Sequence, residues 1–410
     1  MSTEPTTNPD ALDTRSPLER FRTAPRKALS VTDLISPSWC ELQYWYTLTK
    51  HGRKKRTPAM RQGSAVHKTL EDQVHKSVAV SIETKEDAWG LRIWNIVQGL
   101  RTLRDTGMTR ELEIWGVIDG QVVNGVIDEL SYICPDRELE EEITARTAHG
   151  KGGKNAIAAD QTTITDFIKP SGGASVKNSV IRDIRSITKP SSKIYLTDVK
   201  TRGTNSIPKG ASFRPTLMQL MLYRHLLADL ATNKVDPNVL FSRYGLDPSA
   251  PFTDAFIAQV GSLNEVFYDA PAEQPSGDSQ DTVPDSSQDS MQVLLDHNSL
   301  ARLWALMMQE FQRTMPQGAA SVGGVLKAEY RDQIDGSILG IKTFVYDDAV
   351  LRTYVADEMR WWKGQREALG VAVEEAYKCR ICEFAEGCSW RKTKIEEAAQ
   401  AHRSKGRSVV

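Results

Sequence analysis

Two different periods of apolar and polar residues run along the chain, and they predict different elements. Between residues 111 and 133, apolar and polar residues alternate on both sides of Asp119-Gly120. A period of two is typical of a half-buried strand, and Asp-Gly is favoured in two-residue hairpin turns. The pattern therefore predicts a β-hairpin. Apolar runs at residues 193–200 and 338–346 predict further strands.

Apolar residues spaced three and four apart predict helices elsewhere. The expected helices span residues 63–78, 86–103, 215–230, 300–311 and 348–369. Ser30 and Asp33, which precede an apolar stretch, resemble the start of a further helix. Strands interleaved with helices indicate an α/β fold.

Four stretches carry neither period. Residues 1–28 and 393–410 are polar and are predicted to be tails. Residues 135–192 are rich in Gly, Ser, Lys, Thr and Glu, and residues 270–290 are polar and acidic. Such composition is typical of flexible segments. We therefore predict one domain over residues 29–392, interrupted by these two flexible insertions.

Composition narrows the class of protein without identifying it. The chain has 410 residues, of which 40% are hydrophobic and 26% charged, as in ordinary globular proteins. No apolar run is long enough to span a membrane, so we expect no membrane association. The 52 Lys and Arg residues balance 53 Asp and Glu residues, so net charge alone neither predicts nor excludes nucleic-acid binding.

The predicted strands bring together residues suited to phosphodiester chemistry. Asp128 lies on the second hairpin strand, and Asp198 and Lys200 lie two residues apart on the next predicted strand. The period of two puts Asp198 and Lys200 on the same face. Carboxylates from adjacent strands can bind a divalent cation, and a nearby ammonium can hold a water or stabilise phosphate charge. An isolated Asp-x-Lys is usually a coincidence.

Two further pairs make coincidence a weaker explanation here. His67 and Glu71 are four residues apart on a predicted helix, and Gln219 and Tyr223 repeat that spacing after the strand. Residues at i and i+4 share one helix face. Taken alone, His67 is more simply a surface or core histidine. The order His, Asp, Asp-x-Lys, Gln-x-x-x-Tyr favours a functional interpretation.

This order resembles the RecB-like branch of the PD-(D/E)XK nucleases, whose fold is a mixed sheet flanked by helices. The resemblance implies that His67, Asp128 and Asp198 bind Mg²⁺ or Mn²⁺, with the Val199 carbonyl contributing. It further implies that Lys200 positions the attacking water, Gln219 orients the site and Glu71 assists. Hydrolysis would use paired metals, one activating water and the other stabilising the leaving 3′ oxygen.

The cysteines indicate a second metal centre. An odd number of cysteines, five, argues against a disulfide framework, and three of them form the pattern C-x2-C-x5-C at Cys379, Cys382 and Cys388. Three thiolates need a fourth ligand, for which Cys40 and Cys134 are the candidates. Zinc and a [4Fe-4S] cluster both accept four cysteines, so spacing alone leaves the metal open.

A cysteine before the nuclease core and C-x2-C-x5-C after it resemble the iron-sulfur nucleases. Together with residues 30–41, 197–202 and 388–391, this arrangement is similar to the exonuclease V family, over roughly residues 30–392. The resemblance implies a structural [4Fe-4S] cluster that is held by Cys40, Cys379, Cys382 and Cys388 and joins N- and C-terminal helical segments. Cys134 would have no part in it.

A basic run next to aromatic residues is a candidate DNA-binding surface. Phosphate neutralisation combined with base stacking holds single strands without sequence preference. The aromatic residues are also explained as core, and the basic run as a solvated loop or a localisation signal. The candidate contacts are Arg53, Lys54, Lys55, Arg56 and Arg61.

Residues 161–168 resemble the motif that binds sliding clamps. Gln161, Ile164 and Phe167 match it, whereas Ile168 stands where an aromatic residue is usual. A short apolar segment can fold into a groove on binding. A chance match explains the pattern equally well. A genuine motif would favour the nucleus, while the family resemblance leaves both mitochondrion and nucleus open.

These patterns predict a Mg²⁺-dependent exonuclease for single-stranded DNA in DNA repair or mitochondrial genome maintenance. Action from 5′ ends is implied by the resemblance alone. The alternatives are an iron-sulfur endonuclease, a helicase-nuclease fragment, or a non-catalytic iron-sulfur DNA-binding adaptor. No phosphate loop for ATP is present in the sequence. We expect a monomer, and a single-strand-binding protein is a possible partner.

Overall fold

The computed structural model describes most of the chain. The described ranges are residues 13–53, 58–72, 74, 77–150, 193–261, 267–269 and 287–407. The strands are β1 (Leu29–Ser30), β2 (Ser77–Ala79), β3 (Met108–Ile118), β4 (Gln121–Ser131), β5 (Tyr195–Arg202), β6 (Phe267–Asp269), β7 (Val325–Asp332) and β8 (Ile338–Val345).

Helices occupy the rest of the described elements. They are α1 (Pro17–Phe21), α2 (Val31–Ile35), α3 (Glu41–His51), α4 (Pro58–Asp72), α5 (Lys85–Thr106), α6 (Arg137–Gly150), α7 (Arg214–Ala231), α8 (Pro237–Tyr244), α9 (Asp254–Gly261), α10 (Ser287–Asp296), α11 (Leu300–Thr314), α12 (Asp348–Trp362) and α13 (Ser389–Arg407). Single turns of 3₁₀ helix also occur, and a longer 3₁₀ segment spans Val373–Ile381.

The predicted hairpin is present as β3 and β4. Asp119 and Gly120 join the strands with positive φ angles of 49° and 77°, as a tight hairpin turn of this class requires. The predicted helix at residues 63–78 ends earlier, at Asp72, because residues 77–79 pair with β6 as a strand. The helix predicted at 348–369 ends at Trp362 and is followed by Gly364 in the left-handed region.

The chain divides into two compact units. The first unit comprises residues 1–28, 40–54 and 352–410, and the second comprises residues 29–39 and 55–351. The second unit contains a mixed six-stranded sheet with helices around it. The expectation of a mixed sheet flanked by helices is thus confirmed. The narrower assignment to the PD-(D/E)XK fold stays a prediction.

Strand β4 organises the sheet. One edge of β4 pairs antiparallel with β3 along its whole length. Its other edge is shared: residues 123–124 pair parallel with β1, and residues 129–131 pair antiparallel with β5. Strand β5 continues parallel to β7, which pairs antiparallel with β8. Four residues of β4, 125–128, therefore lie between two strand partners on this edge.

The core of the second unit is rich in aromatic side chains. Trp115 of β3 is fully buried and stacks at 5.9 Å from Trp304 of α11, which contacts Phe241 of α8 edge to face. Helices α5 and α11 pack together, and Glu310 of α11 lies buried between the arginines of α5. The carboxylate is stabilised there because Arg101 and Arg104 both donate to it.

The first unit is held together by contacts between distant parts of the sequence. Tyr44 of α3 packs edge to face against Trp361 and Trp362 of α12. Phe21 of α1 contacts Trp45 in the same geometry. The segment Pro17–Phe21, within the predicted tail, is helical. Ser16 and Glu19 form a capping box there, which supplies hydrogen-bond partners to backbone N–H groups of the first turn.

Helices also begin or end inside the other segments that were expected to lack structure. Helix α6 occupies the first part of the 135–192 segment, where Glu140 accepts hydrogen bonds from the backbone of Gly324 and Val325. Helix α10 starts at Ser287, and α13 covers most of the predicted C-terminal tail. The remainder of both insertions, residues 151–192 and 270–286, lies outside the described residues.

No disulfide is present, in agreement with the odd number of cysteines. All five cysteines are among the described residues, and none of them is bonded to another. Among the described helices, none combines the length and apolar character that a transmembrane segment needs.

Removing the carboxylate of Glu310 should destabilise the second unit. Glu310 is 1% exposed, and Glu310→Ala would leave the guanidinium groups of Arg101 and Arg104 without their partner. We expect a loss of about 2–3 kcal/mol in the free energy of unfolding, measured by urea denaturation. Arg313→Ala is the control because Arg313 also pairs with Glu310 but is 64% exposed. This substitution should lower the free energy of unfolding by no more than about 0.5 kcal/mol. Equal effects of both substitutions would contradict this assignment.

Candidate active site

The candidate site lies where β4 and β5 separate. The two strands pair over three residues, Glu129–Ser131 with Tyr195–Thr197, and then diverge. Asp128 is the first residue beyond the paired segment on β4. Its Oδ2 accepts the backbone N–H of Val199 at 2.7 Å, so a side chain replaces the missing ladder bond. We call this place the fork.

Helix α4 lies beside the fork and supplies His67. The Nε2 atom of His67 is 3.1 Å from the Val199 carbonyl oxygen, and Nδ1 is 3.2 Å from Glu111 Oε1. One turn earlier, Gly63 allows the helix to come this close, since an added Cβ would lie 2.7 Å from Thr201 Oγ1. The Val199 carbonyl, expected from the family resemblance to help bind metal, thus contacts His67 here.

Glu111 is a site residue that the sequence analysis missed. It lies on β3 opposite Asp128, but the regular pairing is interrupted there and Glu111 has a φ of 50°. This left-handed conformation is uncommon for a side chain larger than glycine. Its carboxylate reaches His67. A carboxylate directly across a hairpin from Asp128 was the one signal available in the sequence.

His67, Glu111 and Asp128 form a group that could bind a metal ion. One ligand atom from each lies within 4.8 Å of the other two. Two carboxylates and an imidazole suit Mg²⁺ or Mn²⁺, which favour hard oxygen donors. Asp198 also supports a metal site, because its Oδ2 is buried without a hydrogen-bond partner among the described residues. These residues fit a divalent cation.

Asp198 and Lys200 lie on the same face of β5, as the period of two predicted. Lys200 Nζ donates to Asp198 Oδ1 at 2.8 Å, and Asp198 is 1% exposed. Burial lowers the pKa of Lys200, but the nearby carboxylates of Asp198 and Asp128 raise it by more, so the ammonium stays charged.

The site binds protons strongly when no metal is present. Burial raises the pKa of Asp128 to about 7, and the charge of Asp198 adds to the rise, while Lys200 and His67 oppose it. Burial lowers the pKa of His67, but its hydrogen bond with Glu111 and the charge of Asp128 raise it overall. A cation would displace these protons because it binds deprotonated ligands.

Helix α7 covers the face that carries Asp198. Gln219 donates to the Tyr223 hydroxyl at 3.1 Å, as expected from their spacing of four residues. The Tyr223 ring lies against Gly125 of β4, where an added Cβ would be 2.7 Å from the ring. Burial and the charges of Asp128 and Asp198 raise the pKa of Tyr223, so it stays neutral.

Other predicted site residues lie apart from this group or outside the description. Glu71 is on α4 with His67, but its carboxylate pairs with Lys68 and is not one of the three grouped ligands. Arg53 and Arg61 are exposed. The residues outside the described ranges are Lys54, Lys55, Arg56, Gln161, Ile164, Phe167 and Ile168.

Four cysteines lie together in the first unit. Cys40 precedes α3, Cys379 lies in the 3₁₀ segment Val373–Ile381, Cys382 follows it directly, and Cys388 precedes α13. Burial raises the pKa of Cys40, and the nearby Cys382, Cys379 and Cys388 raise it further. The fifth thiol, Cys134, belongs to the second unit, where it contacts Tyr195.

A network of polar contacts fixes Cys40 beside the C-terminal segment. Arg366 binds both carboxylate oxygens of Glu41, the residue after Cys40. Glu41 also accepts the N–H of Leu369, whose carbonyl accepts the N–H of Leu42. The ring of Tyr46 contacts Phe384, which lies between Cys382 and Cys388 in sequence, with a centroid distance of 5.5 Å and the two rings tilted by 48°.

Two aspartates and a lysine on adjacent strands of a mixed sheet, with a histidine from α4 beside them, indicate a hydrolase. The sequence profile of the family described as "Exonuclease V - a 5' deoxyribonuclease" matches residues 16–391. The chain therefore belongs to the exonuclease V family. It is a DNA exonuclease of the 5′ deoxyribonuclease class.

Relatives from animals and fungi carry the family name. Exonuclease V of Danio rerio is 25% identical over 394 residues, covering 95% of this chain and 76% of the relative. The mitochondrial exonuclease V of Eremothecium gossypii is 25% identical over 415 residues, covering 90% of this chain and 77% of the relative. The mitochondrial exonuclease V of Candida albicans is 24% identical over 469 residues, covering 91% and 72%.

Binding of a divalent cation should strengthen as pH rises through 7. Protons on Asp128 and His67 compete with the metal. Affinity should therefore rise by up to about tenfold per pH unit for each displaced proton as the pH passes through the pKa of Asp128, about 7. Titration calorimetry with Mn²⁺ at about pH 6, 7 and 8 measures this dependence. Asp72→Asn is the control, since Asp72 lies on α4 but pairs with Lys68. An affinity that is the same at all three pH values would rule out proton displacement.

Proposed function

We propose that this exonuclease is Mg²⁺-dependent, specific for single-stranded DNA and directed to 5′ ends. One observation carries the proposal: His67, Glu111 and Asp128 converge within 4.8 Å beside buried Asp198 and its partner Lys200. This set supplies cation ligands and an ammonium in one place, which is what phosphodiester hydrolysis requires. The family description supports the polarity.

Each residue at the fork has a distinct part in this proposal. His67, Glu111, Asp128 and Asp198 would hold the metal. Bound metal ions would polarise the phosphate, activate water and stabilise the leaving 3′ oxygen. Lys200 would orient the attacking water and balance phosphate charge. Gln219 would act through Tyr223, whose neutral hydroxyl stays close to the two aspartates.

The surroundings of the site favour a flexible single strand over a duplex. Gln62 of α4 and Gln333 after β7 exchange hydrogen bonds, at 2.8 Å and 3.3 Å, so that the helix is linked to the end of the sheet next to the fork. With α4 held beside the fork, we propose that the site admits a strand end more readily than a rigid duplex. Exposed Arg53 and Arg61 are candidate phosphate contacts.

The cysteines of the first unit fit a [4Fe-4S] cluster. Four thiolates suit either tetrahedral zinc or a [4Fe-4S] cluster. The resemblance to the exonuclease V family favours the cluster. We propose that Cys40, Cys379, Cys382 and Cys388 hold such a cluster in a structural role.

The biological setting follows from the relatives and the sequence. Several fungal relatives are named as mitochondrial, which supports a mitochondrial role for this chain in genome maintenance, with a nuclear pool for DNA repair as the alternative. A single-strand-binding protein and, through residues 161–168, a sliding clamp are proposed partners. We propose that the enzyme acts as a monomer.

Substitution of the central aspartate should abolish hydrolysis. Asp198→Asn removes the charge of a buried carboxylate while keeping its shape, so we expect a loss of more than about 1000-fold in the rate of degrading 5′-labelled linear single-stranded DNA with Mg²⁺. Gel analysis of the labelled products measures the rate. The control is Asp332→Asn, on the neighbouring strand, where the carboxylate caps a turn. This variant should stay within about threefold of wild type.

Substrate topology separates the proposed exonuclease from its alternatives. Wild type should degrade linear single strands and leave circular single strands and duplex intact. Rapid cutting of circles would favour the endonuclease, and no cutting of any DNA by anaerobically purified protein would favour the non-catalytic adaptor.

Loss of one cluster ligand should release iron. Cys40→Ser is expected to lower bound iron from about four atoms per chain towards zero, to remove absorbance near about 400 nm and to destabilise the first unit. Metal analysis and thermal unfolding measure the change. Cys134→Ser is the matched control and should keep full iron content. One bound zinc in the wild type would contradict the cluster.

A further inference from the structure

Arg202 is the last residue of β5 and shares a face with the site. Side chains alternate along a strand, so Asp198, Lys200 and Arg202 lie on the same side of the sheet. Lys200 and Asp198 are hydrogen-bonded on this face, and the charges of both act on Asp128, so this is the face next to the fork. Nothing in the proposed mechanism uses Arg202.

Among the described residues the Arg202 guanidinium has no hydrogen bond, although its charge acts on the nearby hydroxyl of Tyr330. The side chain is half-buried, and its Nε is buried without a hydrogen bond. Within the described ranges no carboxylate forms an ion pair with it. Asp332, its neighbour in register on β7, instead accepts backbone N–H groups at Ile334 and Asp335. A buried donor without a partner costs about 1–3 kcal/mol, so a ligand that accepts a hydrogen bond from Arg202 would bind favourably here.

Contacts to its main chain hold Arg202 in place. The N–H of Gln333 donates to the Arg202 carbonyl at 2.9 Å, and Gln333 is itself bonded to Gln62 of α4. On the preceding residue, Thr201 lies against Gly63 of the same helix. The unpaired guanidinium is therefore carried by a rigid strand end and not by a loose loop.

The position of Arg202 matches the repeat of a DNA strand. Two residues of β-strand span about 6.6 Å, which separates the backbone positions of Lys200 and Arg202. Successive phosphates along an extended single strand are separated by a similar distance. If Lys200 faces the phosphate that is cleaved, Arg202 faces the next one. Guanidinium groups bind phosphate through two parallel hydrogen bonds, whereas an ammonium acts as a point charge.

We propose that Arg202 binds the phosphate next to the one that is cleaved and so sets the register of the strand on the enzyme. This inference rests on the proposed single-strand nuclease. The contact is present before and during cleavage, so it contributes to binding and to the transition state alike.

Kinetics of Arg202→Ala and Arg202→Lys test the contact. We expect Arg202→Ala to raise KM about tenfold to a hundredfold with kcat within about threefold of wild type, and Arg202→Lys to recover part of the loss. The control is Arg331→Ala, since Arg331 lies in register with Thr201 on the opposite face and pairs with Glu329. Its KM should stay within about twofold.

Two further measurements distinguish a phosphate contact from a structural role. In the Asp198→Asn background, which does not cleave, Arg202→Ala should reduce the slope of log affinity against log salt concentration by about 0.7, the contribution of one single-strand phosphate. Single methylphosphonates placed along the substrate should impair wild type at the position beside the cleaved bond and have no added effect on Arg202→Ala there.

The outcomes separate this inference from the function on which it rests. Additive effects of Arg202→Ala and the methylphosphonate at every position, with an unchanged salt slope, would overturn the role of Arg202 while leaving the nuclease intact. A wild type that degrades no single-stranded DNA would overturn both.

Discussion

The hydrogen bond from the Val199 N–H to the Asp128 carboxylate is the contact on which the site depends. It replaces a ladder bond at the point where β4 and β5 part, and so keeps the strands in register while opening a space between them. The same carboxylate lies with His67 and Glu111. A group that holds the sheet together is thus also one of the proposed cation ligands. Burial raises its pKa to about 7, and a bound cation would oppose that rise.

The first unit joins segments that are more than 300 residues apart in sequence. Cys40 reaches the C-terminal cysteines because Glu41 binds Arg366 and the backbone of Leu369. These protein contacts already place the thiols near one another. A cluster bound there would add its binding free energy to an arrangement that the polypeptide has begun to form.

Part of the fold and of the candidate site was predictable from short-range periodicity in the sequence. The alternation in β5 placed Asp198 and Lys200 on one face, and the spacing of four joined Gln219 to Tyr223, because both depend on local backbone geometry. Strand β7 was missed although apolar residues at 326, 328 and 330 alternate with charged residues at 327, 329 and 331, which is the same period of two that predicted the hairpin. Glu111 was missed because its position depends on an irregular φ, and the unpaired state of Arg202 depends on its neighbours in space.

The route of the chain between the two strands of the fork has an evolutionary consequence. Strand β5 resumes more than 60 residues after β4 ends, yet its register is set by β7 and by contacts within the sheet. The positions of Asp128 and Asp198 are therefore set by strand pairing and not by the sequence that joins their strands. Insertions or deletions in that connection during evolution need not move the aspartates.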